Sequence, residues 1–332
     1  MTAPSSTSAP DQFSSLASPD VPAPVRAFED LNRAIGTGSH LDIQERRRFM
    51  RTVSDLNFYL HGAPAEAEVR RETVTVPTAA GPIEVVLYRP PDRRVLPAHL
   101  FLHGGAWWAG NPGELVNDAI ARRRAFDADV VVAAVTYSLA PETRFPRAVH
   151  EVLDTFEWLR DNARPLRIDA DNISFGGMSA GGNLAAAATI LNRDRSGPPL
   201  RLQVLEVPVL DLTLATSRRI AIALPHVDTD ELAPAIDCYL GPDIDRTHPY
   251  ASPLLADDLT NLPPALVITA GLDSLRGDGH DYVRRLQQAG IAARWLEIPG
   301  AVHSAVYLTR TWPSAVTWAA TANDALKTVH AG

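Results

Sequence analysis

The first group in this chain suited to covalent chemistry is a serine set between two glycines, Gly177-Met178-Ser179-Ala180-Gly181. It follows the β-prone run Asn172–Phe175 and precedes the Ala-rich stretch Ala180–Arg193. That context predicts a sharp strand-to-helix turn with the Ser179 hydroxyl exposed at its tip. A serine hydroxyl is a weak nucleophile near neutral pH, so it needs a general base and a carboxylate to orient that base. Asp273 and His303 are the candidates. Each follows a strand-like run, Ala265–Thr269 and Arg294–Ile298, and the order serine, acid, histidine suits a nucleophile on this kind of turn. A third requirement is a set of donors for the oxyanion of a tetrahedral intermediate. Gly104 and Gly105, in Phe101-Leu102-His103-Gly104-Gly105-Ala106-Trp107, would offer backbone N–H groups together with Ala180. His103 is expected to brace that loop rather than to react.

These groups need a scaffold that brings them to one edge. Strand signals occur at Glu72–Val76, Ile83–Tyr88, Ala98–Leu102, Val130–Val135, Asn172–Phe175, Leu202–Val207, Ala265–Thr269 and Arg294–Ile298. Helical patterns fall near Val25–Ile35, Leu41–Leu60, Glu114–Phe126, Ala148–Asn162, Ala180–Arg193, Gly277–Gln288 and Ser314–Thr328. Short apolar runs alternating with helices predict an α/β fold, a mostly parallel sheet covered on both faces. Function in such folds gathers at the carboxyl ends of the strands.

The 332 residues therefore divide into a flexible arm over 1–24, N-terminal cap helices over 25–65 and a catalytic domain over 66–332. Within that domain 211–250 interrupts the alternation. Pro225, Pro234, Pro242 and Pro249 fragment it, and it reads as an inserted lid. Trp107, Trp108, Met178 and Tyr137 are expected to line the substrate pocket, with Tyr239 an equal candidate for core or pocket. The run Arg122-Arg123-Arg124 reads as a solvated helix face.

Composition removes several function classes. A net charge of −8 gives no attraction for phosphate backbones, so no nucleic-acid partner is expected. No apolar stretch is long enough to span a bilayer, and the start lacks the pattern of a signal peptide. One cysteine, Cys238, excludes an internal disulfide and fits a cytoplasmic location. His150-Glu151 lacks the second histidine of a zinc helix, and His280 beside Asp278 and Asp281 reads as a solvated face. His226 and His248 read as surface positions of the lid. No metal and no cofactor are expected, since phosphate-loop and dinucleotide fingerprints are both missing.

Several ordered segments together resemble the hormone-sensitive-lipase-like family (family IV) of carboxylesterases and lipases in the α/β-hydrolase superfamily. They are His103-Gly104-Gly105-Ala106-Trp107, Tyr137-Ser138-Leu139-Ala140-Pro141-Glu142 with Phe145-Pro146, Gly177 through Ala185, Asp273-Ser274-Leu275-Arg276, and His303. The resemblance implies the α/β-hydrolase fold with an eight-stranded sheet and a helical cap. It also implies cofactor-free cleavage of short- to medium-chain esters, acetyl esters among them, through an acyl-Ser179 intermediate, and a homodimer in many members. Three positions depart from the family pattern. Ala106 replaces a third glycine, Met178 replaces an aspartate, and Ser274 replaces a proline. Three alternatives stay open: amide or arylformamide hydrolysis, ligand binding without turnover, and elimination or acyl transfer on the same fold.

Overall fold

The computed structural model describes residues 21–65, 68–91, 94–223 and 232–331. Two helices come first, α1 (Ala23–Ile35) and α2 (Ile43–His61). The first begins at Ala23, so 23–24, expected within the arm, are helical; 1–20 lie outside the described residues. Asp42 starts the second by accepting a hydrogen bond from the Glu45 N–H at 2.9 Å, a side-chain cap on a donor the helix cannot satisfy itself.

Strands β1 (Arg70–Val76), β2 (Ile83–Arg89) and β3 (Leu96–Leu102) follow, then α3 (Leu115–Asp127) and β4 (Val131–Val135). Next come α4 (Arg147–Asp161), the short α5 (Ala163–Leu166), β5 (Ile168–Met178), α6 (Ala180–Asp194) and β6 (Gln203–Glu206). The chain closes with α7 (Ala215–Ala223), α8 (Leu232–Leu240), β7 (Ala265–Ala270), α9 (Arg276–Gln288), β8 (Ala293–Ile298) and α10 (Pro313–His330). One eight-stranded sheet runs β1-β2-β4-β3-β5-β6-β7-β8. Strand β2 is antiparallel to both neighbours, and β3 through β8 are parallel. This is the mostly parallel, helix-covered α/β sheet expected from the sequence.

The period of two along the strands separates two cores. Val85, Leu87, Val131, Ala133 and Val135 face one side, buried with α4, α6 and α9. Val86, Tyr88, Val132 and Ala134 face the other, under α3 and α10 and with Val25 and Phe28 of α1 and Phe58 of α2. Ala, rather than a larger residue, fills Ala185 through Ala188 of α6, which lets that helix, buried from Ala180 to Asn192, lie close to the sheet.

The described part of 211–250 holds two helices, α7 and α8, with turns on either side of them. Pro234 sits in the first turn of α8, where the missing N–H costs nothing. His226 and Pro225 lie outside the described residues. The arginine run is a correction to the sequence reading. Arg122 pairs with Asp118, Arg123 donates to the Ala63 carbonyl at 2.7 Å, and Arg124 is buried in an ion pair with Glu206. Consecutive helical residues turn about 100° apart, so three arginines in a row cannot share one solvated face.

Candidate active site

Ser179 stands between the last residue of β5 and the first of α6, with φ 54° and ψ −117°. A non-glycine side chain in this region is costly, about 1–3 kcal/mol, and persists only where the surroundings fix it. They do so here. The Ser179 N–H donates to the Glu206 carbonyl at 2.9 Å, and the Asn183 N–H returns to the Ser179 carbonyl at 3.0 Å. Asn183 anchors the same turn of α6 by donating its side-chain amide to the carbonyls of Val209 and Ala251, at 2.8 and 2.7 Å. A side chain at Gly181 would collide with the carbonyl oxygens of Leu102 and His103, so glycine is required for α6 to reach β3.

The three residues singled out from the sequence meet at this turn. Ser179 Oγ lies 2.9 Å from His303 Nε2, and His303 Nδ1 lies 2.6 Å from Asp273 Oδ2. Asp273 is buried and also accepts the Leu275 N–H at 3.0 Å. His303 keeps 36 % of its side-chain surface exposed, so the reacting end is open to a substrate. Burial pulls the imidazole pKa down, but the charge and hydrogen bond of Asp273, helped by Glu29 on α1, outweigh it and hold the pKa above 6.5.

Gly104 faces this turn, and Gly105 follows it in the loop. Gly104 sits against Ser179, whose Cβ would lie 3.5 Å from a Cβ placed there. Among the described residues, the N–H groups of Gly104, Gly105 and Ala180 donate to no protein acceptor. The carbonyls of Gly104, Gly105 and Trp107 are occupied. Gly105 accepts the N–H groups of Trp108 and Ala109 at 3.1 and 2.9 Å, which tightens the turn. Gly105 has φ 119°, and a side chain there would strike the Ala109 carbonyl. Ala106 at φ 50° and Trp107 at φ 62° are left-handed without being glycine. The family departure at Ala106 therefore falls where the backbone favours glycine, at a cost of roughly 1–2 kcal/mol.

His103 braces this loop, with Nδ1 2.7 Å from the Gly104 carbonyl. Burial lowers its pKa to about 4, so at neutral pH the ring carries no charge. Tyr137 is buried, stacks on His103 with ring centroids 4.3 Å apart and donates its hydroxyl to the His103 carbonyl at 2.8 Å. Its polar end is thus committed to the loop. Trp107 is buried and stacks on Tyr239 of α8 at 4.7 Å, while Trp108 is partly exposed under the Arg46 guanidinium at 4.6 Å. Met178 is buried in the cluster that holds Val25 and Phe28 of α1. His248 packs edge-on to Phe145 in the segment after α8, and His280 edge-on to Trp295.

Two features of the site went unread in the sequence. Glu206, whose carbonyl holds the Ser179 N–H, has its carboxylate buried between Arg124 and the Trp318 indole N–H, the latter at 2.9 Å. The visible signal was one charged residue at the end of an apolar strand. Arg47 of α2 donates to the carbonyls of Trp108 and Ala140. No local pattern marks it, because its partners lie far away in sequence.

A family model described as the alpha/beta hydrolase fold matches residues 99–307, which takes in Ser179, Asp273, His303 and the glycine loop. The chain belongs to the hormone-sensitive-lipase-like family of α/β-hydrolases. An arylesterase of Saccharolobus solfataricus is 37% identical over 237 residues, 69% of this chain and 74% of that protein. An ethyl acetate hydrolase of Pseudomonas putida is 38% identical over 229 residues, 67% of this chain and 70% of that protein. A solved hyperthermophilic esterase from the archaeon Pyrobaculum calidifontis superposes with a TM-score of 0.81 at 33% identity, covering 90% of this chain and 97% of its own. All three relatives are ester hydrolases by name, which favours esters over the amide, binding and elimination alternatives. Among the described residues no helix is long and apolar enough to cross a membrane.

Proposed function

We propose that this member of the family is a carboxylic-ester hydrolase that works through an acyl-Ser179 intermediate. The observation that carries the reading is the continuous relay from Ser179 Oγ through His303 to Asp273, at 2.9 and 2.6 Å, at the tip of a left-handed turn. His303 Nε2 takes the Ser179 proton as Oγ attacks the ester carbonyl. Asp273 fixes the tautomer and stabilises the imidazolium. The N–H groups of Gly104, Gly105 and Ala180 receive the developing oxyanion, where each such donor is worth about 10²–10³ in turnover. The intermediate collapses, His303 returns the proton to the leaving alcohol, and a water deprotonated by His303 releases the acid.

The substrate reading is a short acyl group, acetyl among them, with Trp107, Trp108, Met178 and Tyr137 around it. The resemblance to an ethyl acetate hydrolase supports it. The cap of 25–65 and the lid of 211–250 would close over that pocket, as the Trp107–Tyr239 stack supports. Cytoplasmic location and a homodimer belong to the same reading. The single cysteine fits the first, and the β8 edge with its part-exposed Trp295 fits the second.

A panel of aryl esters of rising acyl length, with intact-mass detection of acyl-enzyme and fluorophosphonate labelling, tests the chemistry. Label on Ser179 and highest kcat/KM at short chains are expected. Absence of label would falsify the nucleophile, and fastest turnover of long-chain triglycerides would sink the acyl-length reading.

A further inference from the structure

We propose that Arg47, on the N-terminal helix α2, is a positioning residue for the oxyanion loop, so that the cap helps set transition-state geometry. The proposal rests on the reading of Gly104 and Gly105 as oxyanion donors.

The Arg47 side chain is only 19% exposed, and its guanidinium is used on every side. Nε donates to the Trp108 carbonyl at 2.7 Å, and Nη2 to the Ala140 carbonyl at 2.6 Å. Nη1 and Nη2 also clasp the Glu142 carboxylate in a bidentate pair, at 2.8 and 2.6 Å. Gln44, one turn earlier, donates to the same carboxylate at 2.7 Å. Glu142 thus orients the planar fork, and the fork holds two backbone carbonyls. Charge-assisted, bidentate contacts of this kind are the strong and directional ones.

Those two carbonyls belong to the clamps on the glycine loop. Trp108 returns its N–H to the Gly105 carbonyl, closing the turn that follows the two glycine N–H groups read as oxyanion donors. Ala140 donates its N–H to the Trp107 carbonyl at 2.9 Å. One side chain therefore ties the loop directly through Trp108 and indirectly through Ala140. The loop needs such a tie, because Ala106 and Trp107 hold left-handed backbone without glycine, and strain of this sort relaxes unless the surroundings over-determine it. Donors that drift by about 1 Å from the oxyanion lose much of their effect.

Not every arginine between cap and body is so placed. Arg123 of α3 donates to the carbonyls of Ala63 and Pro64 after α2, at 2.7 and 3.2 Å, and none of its hydrogen bonds goes to the glycine loop. It serves as the matched control for loosening the cap alone.

The test uses the full chain with Arg47→Met, Arg47→Lys and Arg123→Met. The readouts are kcat and KM on a short-chain aryl ester, Ki for a trifluoromethyl ketone that forms a tetrahedral adduct with the serine, and Tm. Arg47→Met is expected to lower kcat about 10- to 100-fold with KM nearly unchanged and Ki rising in parallel. Arg47→Lys keeps a charge for Glu142 but loses the fork, so it falls between Met and wild type. Should the Met variant not fold, the Lys variant carries the test through the same split. Arg123→Met lowers Tm and leaves kcat and Ki at wild-type values. The proposal is overturned by Arg47 variants with wild-type kcat, by a kcat loss without a change in Ki, or by an equal kcat loss in Arg123→Met. Turnover that survives Ser179→Ala would instead overturn the active-site reading beneath it.

Discussion

Two serines stand five residues apart, Ser174 on β5 and Ser179 just beyond it, and each has a hydroxyl 2.9 Å from a histidine nitrogen. Ser174 lies between His99 Nδ1 and His330 Nε2, both at 2.9 Å, and His330 Nδ1 meets Asn172 Oδ1 at 2.6 Å. On distances alone this second cluster looks as reactive as the first. Its environment is opposite. Ser174 and His99 are fully buried, set opposite each other on the paired strands β5 and β3. An amide occupies the place of the carboxylate. Burial, with Arg124 near by, pushes His99 well below 6.5, and burial takes His330 down to about 4. A Ser–His hydrogen bond is thus not what makes a nucleophile. Access, a carboxylate behind the base and free donors in front of the hydroxyl do so, and only Ser179 has all three.

The contrast breaks most easily at the two hydroxyls. Ser179→Ala is expected to lower kcat by about 10⁴- to 10⁶-fold, while Ser174→Ala leaves kcat within about twofold of wild type. Comparable losses in steady-state assays would mean that both clusters serve turnover. At the third partner, Asp273→Asn should lower kcat on the order of 10⁴-fold through the wrong tautomer, and Asn172→Ala should leave it unchanged. Stability reverses the ranking. Ser174→Ala strands two buried ring nitrogens and is expected to cost about 1–3 kcal/mol in urea unfolding, whereas Ser179→Ala relinquishes only a part-exposed hydrogen bond.

The smallest effects are in pH. In the proposed mechanism His303 must be neutral to take the Ser179 proton, so kcat/KM should fall as pH drops through its raised pKa. Glu29 contributes to that elevation, so Glu29→Gln should move the acidic limb to lower pH; an unmoved limb would remove Glu29 from the site's electrostatics. His330 is depressed instead. The unfolded chain takes up its proton near 6.5 and the folded chain only near 4, so folding stability should decline as pH falls across that interval. His330→Gln should flatten the decline, which chemical denaturation at stepped pH would record.

The parts of the molecule legible in sequence were those with local signals. The eight strands, the helices between them and the residues of both glycine turns follow from periodicity and from loops at strand ends. Helices α7 and α8 did not, because prolines read as breakers even where one falls in a tolerant first turn. Ser174, His99 and His330 look like stray polar residues until β3 and β5 pair and set His99 opposite Ser174. Arg124 hid in a run whose members point in three directions. Arg47 and Tyr137 act on carbonyls, which no side-chain pattern announces.

The staple at Arg47 bears on inheritance and on engineering. Arg47 and Glu142 lie 95 residues apart in the chain, yet they work as one device. Recombination that joins the first helices of one esterase to the sheet of another would separate the arginine from the carbonyls it holds. Exchange of α1 and α2 at a junction before β1 should therefore succeed only where the 139–142 segment travels with those helices or already matches them.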